Sequence, residues 1–262
     1  MMRTTFLVLS SALLLMLSRA GWIGVNTTEP SISYRAASDY SEHEPIVLQV
    51  VIDNPSESGL DVQLGRNRVG SFHFRLRRPD GSAIAADPGT PTGAGGLSSR
   101  GQLIVAPGGS QTERLLLNGW LEFLDIGEYS LDIRFDGAVR QANNDIRVQR
   151  TAILAFRILP RDATRLQSRC DLLFNQVRSG RAFADRRTAA EELSYVVDPI
   201  AVPYLAQAIK ADQMIDDVAI LGLERIGNAE ARSILEQALV NRHPETAQAA
   251  RDALNRLDAK QP

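Results

Sequence analysis

The last third of the chain repeats itself. Ala190, Leu193 and Val196 carry an apolar pattern that returns at Ile220, Leu223 and Ile226 and again at Ala250, Leu254 and Leu257. Leu223 follows Leu193 by 30 residues, and Leu254 follows Leu223 by 31. A second row, Ala201-Leu205-Ala208-Ile209, returns as Ala231-Leu235-Ala238-Leu239, again 30 residues on. Spacings of three and four put each row on one stripe of a helix. Two such stripes in every period predict a short α-solenoid, where no unit buries its apolar face alone and stacking does so instead. A solenoid presents surface to partners far more often than it houses chemistry, so the repeat points to binding.

Local signals divide this region into about three helix pairs. Pro160 ends what precedes it, and Asp162 is placed to cap a helix over 163–178. Ser179-Gly180 stops that helix. A second helix over 185–197 stops at Asp198-Pro199. Two more pairs follow, 200–211 with 214–226 and 229–241 with 245–258, punctuated by Gly227-Asn228 and His243-Pro244.

These residues resemble a known family. Asp198-Pro199-Ile200-Ala201-Val202-Pro203-Tyr204-Leu205, followed by Ala219-Ile220-Leu221-Gly222-Leu223-Glu224-Arg225-Ile226-Gly227, is similar to bacterial HEAT-like repeats of the PBS-lyase type. The resemblance is centred on that unit, thins at Asn228-Ala229-Glu230-Ala231 and is weakest over 162–197. It implies a HEAT-like solenoid over 161–262 that binds proteins.

From Ile32 to Leu159 the apolar period is two instead. Ile46, Leu48 and Val50 alternate, as do Phe72, Phe74 and Leu76 with His73, Arg75 and Arg77 between them. Tyr129, Leu131, Ile133 and Phe135 form another set. Leu115 and Leu117 follow a Pro107-Gly108-Gly109 turn, and Ile153, Ala155 and either Phe156 or Ile158 close the series. Short strands with Gly and Pro turns and no helix between them predict an antiparallel sandwich over 31–160. In Asp125-Ile126-Gly127-Glu128-Tyr129 a Gly-x-Tyr enters a strand, and Glu44 to Asn54 reads as an early strand. Together they resemble bacterial immunoglobulin-like modules, in which that tyrosine hydroxyl bonds upstream backbone. The fold class read from sequence is therefore two domains: an N-terminal all-β immunoglobulin-like sandwich, then an all-α HEAT-like solenoid.

The N-terminus reads as an export signal. Arg3 precedes an apolar stretch from Phe6 to Leu17, too short to span a bilayer core of about 30 Å comfortably, and Ser18-Arg19-Ala20 suits cleavage after Ala20. Residues 21–30 read as a linker. Cleavage would shift the net charge from −2 to −4, and nothing so acidic suggests a nucleic-acid partner. Cys170 is the single cysteine and falls on a helical row with Leu166, Leu173, Phe174 and Val177, a place for a small buried hydrophobe. A periplasmic or secreted location is expected, with no membrane span once the signal is removed.

No pattern of catalytic residues emerges. His43, His73 and His243 lack a second His or a Cys at metal-ligand spacing. No Gly-x-Ser-x-Gly occurs, and the glycines of 89–96 lack a following Gly-Lys-Ser/Thr. Glu191-Glu192 and Asp216-Asp217 are adjacent on helices, so each pair diverges by about 100°. Both read as solvated helix surface. Trp120, Phe123 and Tyr129 sit among leucines and read as core. The candidate site is the outer face of the strand from Ser71 to Arg78, where Arg75, Arg77 and His73, with Arg66 and Arg68 nearby, suit a carboxylate, phosphate or sulfate group.

The expectation is a non-catalytic exported scaffold without cofactor, engaging another envelope or secreted protein. Two alternatives follow from the β region. One is an anionic glycan or lipid module using the arginine face. The other is a protease inhibitor presenting the glycine- and proline-rich loop 85–101.

Overall fold

The computed structural model describes residues 29–65, 70–86, 101–123, 125–141, 144–211, 214–240 and 243–260. The expected signal, most of the linker, Arg66, Arg68 and residues 87–100 of the expected loop lie outside that set. The N-terminal part is built of β-strands in antiparallel and mixed sheets, and the C-terminal part of six helices.

The strands are β1 (Ser31–Arg35), β2 (Asp39–Ser41), β3 (Val47–Asp53), β4 (Leu60–Gln63), β5 (Phe72–Arg77), β6 (Ala83–Ala86), β7 (Gln102–Val105), β8 (Ser110–Leu116), β9 (Gly127–Gln141) and β10 (Asn144–Leu159). One sheet has the order β1-β3-β8. The other runs β2-β10-β9; β9 then pairs β5 along its first half and β4 near its end. Among the described residues all strand pairs are antiparallel except one. β2 lies parallel to β10, so the wholly antiparallel reading is corrected. β2 and β10 lie more than a hundred residues apart, so no hairpin turn forces them antiparallel.

Both sheets contribute to one apolar core. Leu48, Val50, Ile52 and Leu115 come from the first, and Phe72, Phe74, Leu76, Leu131, Ile133, Phe135, Phe156 and Ile158 from the second. Each such side chain contributes about 1.5–3 kcal/mol by burial. On β10 the inward phase is Phe156 and Ile158. Ile153 pairs with Asp132 on the outer face and is 73% exposed, correcting its expected inward place. Ala85 and Ala86, expected in the loop, belong to β6.

The helices are α1 (Ala163–Ser179), α2 (Phe183–Leu193), α3 (Val202–Ala211), α4 (Asp216–Ile226), α5 (Ala229–Ala238) and α6 (Pro244–Ala259). Their ends carry the expected signals. The Asp162 side chain accepts from the Arg165 N–H at 3.0 Å, and Asn228 accepts from Ala231 N–H at 2.8 Å. Gly227 ends α4 at φ 62°, a left-handed turn suited to glycine. The second helix ends at Leu193, not 197: the Tyr195 and Val196 N–H groups bond back only three residues, to the Glu192 and Leu193 carbonyls, and the Val197 N–H goes to the His43 carbonyl at 3.2 Å. Consecutive helices pack in pairs, α1 with α2, α3 with α4, α5 with α6. Each helix also meets the next but one. Ala190, Leu193 and Val196, Ile220 and Leu223, and Ala250, Leu254 and Leu257 are all buried in one helical core. Among the described residues no helix is long and apolar enough to cross a membrane.

Candidate interaction surfaces

The strand face chosen from sequence is displayed as its alternation requires. On β5, Phe72, Phe74 and Leu76 are buried, and His73, Arg75 and Arg77 are exposed. The register sets His73 beside Arg134, Arg75 beside Asp132 and Arg77 beside Ser130 of β9. Around them the sheet face is laced with opposite charges. Arg147 makes a two-pronged contact to Asp136 at 2.7 and 2.8 Å, Arg134 lies 3.9 Å from the same carboxylate, and Arg140 reaches Asp145 at 2.7 Å. The Arg147 hydrogen bond holds the Asp136 carboxyl below its usual range. Arg75 and Arg77 make no ion pair among the described residues. Arg78 turns inward and lies 4.0 Å from Glu122. Among the described residues this is a mixed-charge surface on which Arg75 and Arg77 are without an ion pair, not a continuous cationic patch.

The densest polar cluster is elsewhere, where the β part meets the helices. Glu192 of α2 is 4% exposed. One oxygen takes Arg169 of α1 at 2.8 Å, and the other takes Arg114 of β8 at 2.5 Å. Arg161 forks onto Asp198 at 2.5 and 3.0 Å. Burial opposes ionisation of Asp198, but the Arg161 bonds and the Ile200 N–H outweigh it and hold its carboxyl low. Arg165 donates to Glu44 at 2.7 Å and to the Asp39 carbonyl at 2.6 Å. The Asp162 N–H donates to Ser41 Oγ at 2.9 Å. Nearby, the Arg225 guanidinium lies 3.7 Å over the Tyr195 ring and donates to the Ser194 carbonyl. A side chain at Gly119 would meet the Tyr195 hydroxyl at 3.2 Å.

This junction has no local signature in the sequence. Of Glu191 and Glu192, both expected on solvated helix surface, one lies there. Glu191 faces outward to Arg187 at 3.2 Å. Glu192, turned about 100° from it, falls on the edge of the apolar stripe beside Ala189. For Glu192 alone the sequence offers a signal, its position on that edge. Asp216 is corrected likewise: it is 7% exposed, its carboxylate taking the Thr246 hydroxyl and the Asp217 N–H, and burial pushes its pKa up. Its neighbour Asp217 faces solvent and pairs with Arg187 at 3.0 Å.

Ionic bonds of the same kind tie the helices together. Arg256 of α6 forks onto Glu224 of α4 at 2.9 and 2.8 Å, and Arg232 of α5 reaches Asp258 of α6 at 2.6 Å. Tyr204 of α3 donates to Asp171 of α1 at 2.5 Å. Trp120 stacks on Phe74 and Phe123 meets Tyr129 and Phe156, so these aromatics pack on the core as read. Cys170 is buried, and burial pushes its thiol up to about 12. Among the described residues no three His, Cys, Asp or Glu side chains gather as metal ligands would.

No protein-family model and no curated protein matches the chain. Solved structures with partial similarity include a β-glucosidase from Listeria innocua in complex with isofagomine, at TM-score 0.26 and 11% identity, over 50% of this chain and 16% of that one. A protein from Archaeoglobus fulgidus matches at TM-score 0.23 and 11% identity, over 50% of this chain and 96% of that one. Astrotactin-2, a vertebrate perforin-like membrane protein, matches at 0.24 and 13%, over 84% and 38%. The chain thus spans about a sixth of the glucosidase it matches. At these TM-scores the likenesses carry no argument about fold or activity.

Proposed function

We propose that the protein is a non-catalytic exported scaffold, periplasmic or secreted, that binds another envelope or secreted protein. A HEAT-like helical solenoid and an immunoglobulin-like β-sandwich act in it as one rigid platform. The observation that carries the reading is the buried ionic junction of Glu192 with Arg114 and Arg169. A buried ion pair adds little net stability but is costly to break from one side, so it holds orientation. A fixed orientation lowers the entropy lost when a partner spans both parts. The two 30-residue rows falling in one helical core support the solenoid reading. The Tyr129 hydroxyl, which donates to the Asp125 carbonyl at 2.8 Å, supports the immunoglobulin-like one.

Photo-crosslinking residues in the whole chain test this, placed at Gln207 or Glu236 on the helices and at Arg75 on β5. A discrete protein adduct from the helical sites supports the scaffold. A turnover activity abolished by a single side-chain substitution contradicts it.

A second reading, anionic glycan or lipid binding, is favoured by one observation: Arg75 and Arg77 stand exposed on β5 without an ion pair among the described residues. Salt-sensitive binding lost in Arg75→Glu with Arg77→Glu would establish it, and binding retained in that double variant would reject the site. The inhibitor reading rests on a loop almost wholly outside the described residues.

A further inference from the structure

The larger sheet has one long open edge. β2 covers β10 only over Arg157, Ile158 and Leu159, and no other described strand pairs with β10 on this side from Asn144 to Phe156, although β1 of the other sheet passes close to it. The covered end tells which backbone groups face the gap. The Arg157 N–H donates to the Ser38 carbonyl at 2.9 Å, and the Leu159 carbonyl accepts from the Glu42 N–H at 2.9 Å. Successive residues of a strand direct these groups to opposite sides, and the β9 register runs unbroken from Ile158 back to Asn144. Asp145, Arg147, Gln149, Thr151, Ile153 and Ala155 therefore turn their N–H and C=O groups to the open side. An edge of about 36 Å in this state is a template for another strand.

Its surroundings specify the chemistry of that strand. On the inner face, Val148 and Leu154 of β10 and Ile32 and Tyr34 of β1 are half-buried and packed on the core, and Ile146 is 46% exposed. They form an apolar shelf beside the gap. Within it stands Arg150, which has no carboxylate partner among the described residues and donates instead to the Gln149 carbonyl at 3.1 Å, one of the open edge groups. The Tyr34 hydroxyl is buried without a hydrogen-bond partner among the described residues, and the Arg150 charge acts on it. A carboxylate arriving here would pair Arg150 and free the Gln149 carbonyl.

We propose that an extended segment of a partner protein adds to β10 as a strand between Asp145 and Ala155, apolar at alternate inward positions and acidic where it meets Arg150. This rests on the protein-binding reading above and narrows it to one surface.

Amide exchange of the whole chain, read residue by residue by NMR, tests it with the synthetic peptide Val-Thr-Val-Ser-Glu-Thr-Val-Ser-Val. In the free chain the amides of Gln149, Thr151 and Ile153 should exchange faster than those of Val148, Arg150 and Ala152, which bond β9. The peptide should slow the first set. Arg150→Glu should weaken the peptide by about tenfold or more, and the peptide with lysine in place of glutamate should recover it. Thr151→Pro, which removes an edge donor and no β9 bond, should also abolish binding. Two results overturn the inference. One is slow exchange of the first set in the free chain, the edge being then covered by the chain's own residues or, if concentration-dependent, by a second copy. The other is a peptide that leaves those amides unchanged. A partner crosslinked from Gln207 or Glu236 alongside either result sinks strand addition alone and leaves the scaffold standing.

Discussion

Glu192 on α2 and Arg114 on β8 meet at 2.5 Å, with the carboxylate all but excluded from water. The contact joins residues of different architecture, and Arg169 of α1 occupies the carboxylate's other oxygen. With Arg161 on Asp198 and Arg165 on Glu44 it makes the passage from strand to helix a multiply bonded joint, not a tether.

Gly222 sets how closely α4 lies against its neighbours. An added Cβ would stand 2.9 Å from the Leu205 side chain and 2.9 Å from the Ser194 Cα. Alanine would gain about 1 kcal/mol in helix propensity but forces a shift costing about 1–3 kcal/mol. Gly222→Ala should therefore lower the urea midpoint. Gly59→Ala, which meets nothing within 4 Å, should leave it nearly unchanged.

Tyr129→Phe should cost about 0.5–1.5 kcal/mol, the net worth of one hydroxyl bond. The ring keeps its stack on Phe156 at 5.6 Å, so near-ultraviolet circular dichroism should be retained while the thermal midpoint falls. An unchanged midpoint would show that the Asp125 bond contributes nothing.

Burial raises the Asp216 pKa, so the folded state holds a proton that the unfolded chain has released. Below the unfolded value of about 3.9 both states are protonated and no penalty exists. As pH rises through the window between the two values, this group's contribution to stability falls. In Asp216→Asn the amide oxygen can still accept the Asp217 N–H, and its NH₂ can donate to Thr246. The difference in urea midpoint should move in favour of the Asn variant between pH 4 and neutrality. A difference moving the other way would show the carboxylate to be stabilising.

Cys170 should be inert in the native protein. With its thiol pushed up to about 12 by burial, almost no thiolate exists near neutral pH, and alkylation by iodoacetamide must await opening. The folded state retains this proton where the unfolded chain, at about 8.5, has lost it, so stability should fall as pH rises above that value. Alkylation should be slow below the urea midpoint and reach the rate of a free thiol above it. Rapid labelling in native buffer would place Cys170 outside the core.

Much of this architecture was legible because it is periodic. The apolar rows through Leu193, Leu223 and Leu254, the caps at Asp162 and Asn228, and the alternation of β5 each follow from local chemistry. What was not legible depends on tertiary partners. Glu192 and Asp216 look like surface carboxylates until Arg114 and Thr246 arrive from 78 and 30 positions away. The phase of β10 was ambiguous because Ile153, Leu154, Phe156 and Ile158 fill both faces, and the β9 register decided it. The parallel placing of β2 has no local signal in three residues.

Calorimetric unfolding of the whole chain, wild type beside Glu192→Ala, addresses the rigid platform most directly. Removing Glu192 leaves Arg114 and Arg169, 40% and 23% exposed, without their carboxylate, and should cost about 1–3 kcal/mol at the junction. The wild type should unfold in one cooperative transition, and Glu192→Ala should split it into two, the helical part and the β part melting separately. Two independent transitions already present in the wild type, unmoved by the substitution, would contradict the account.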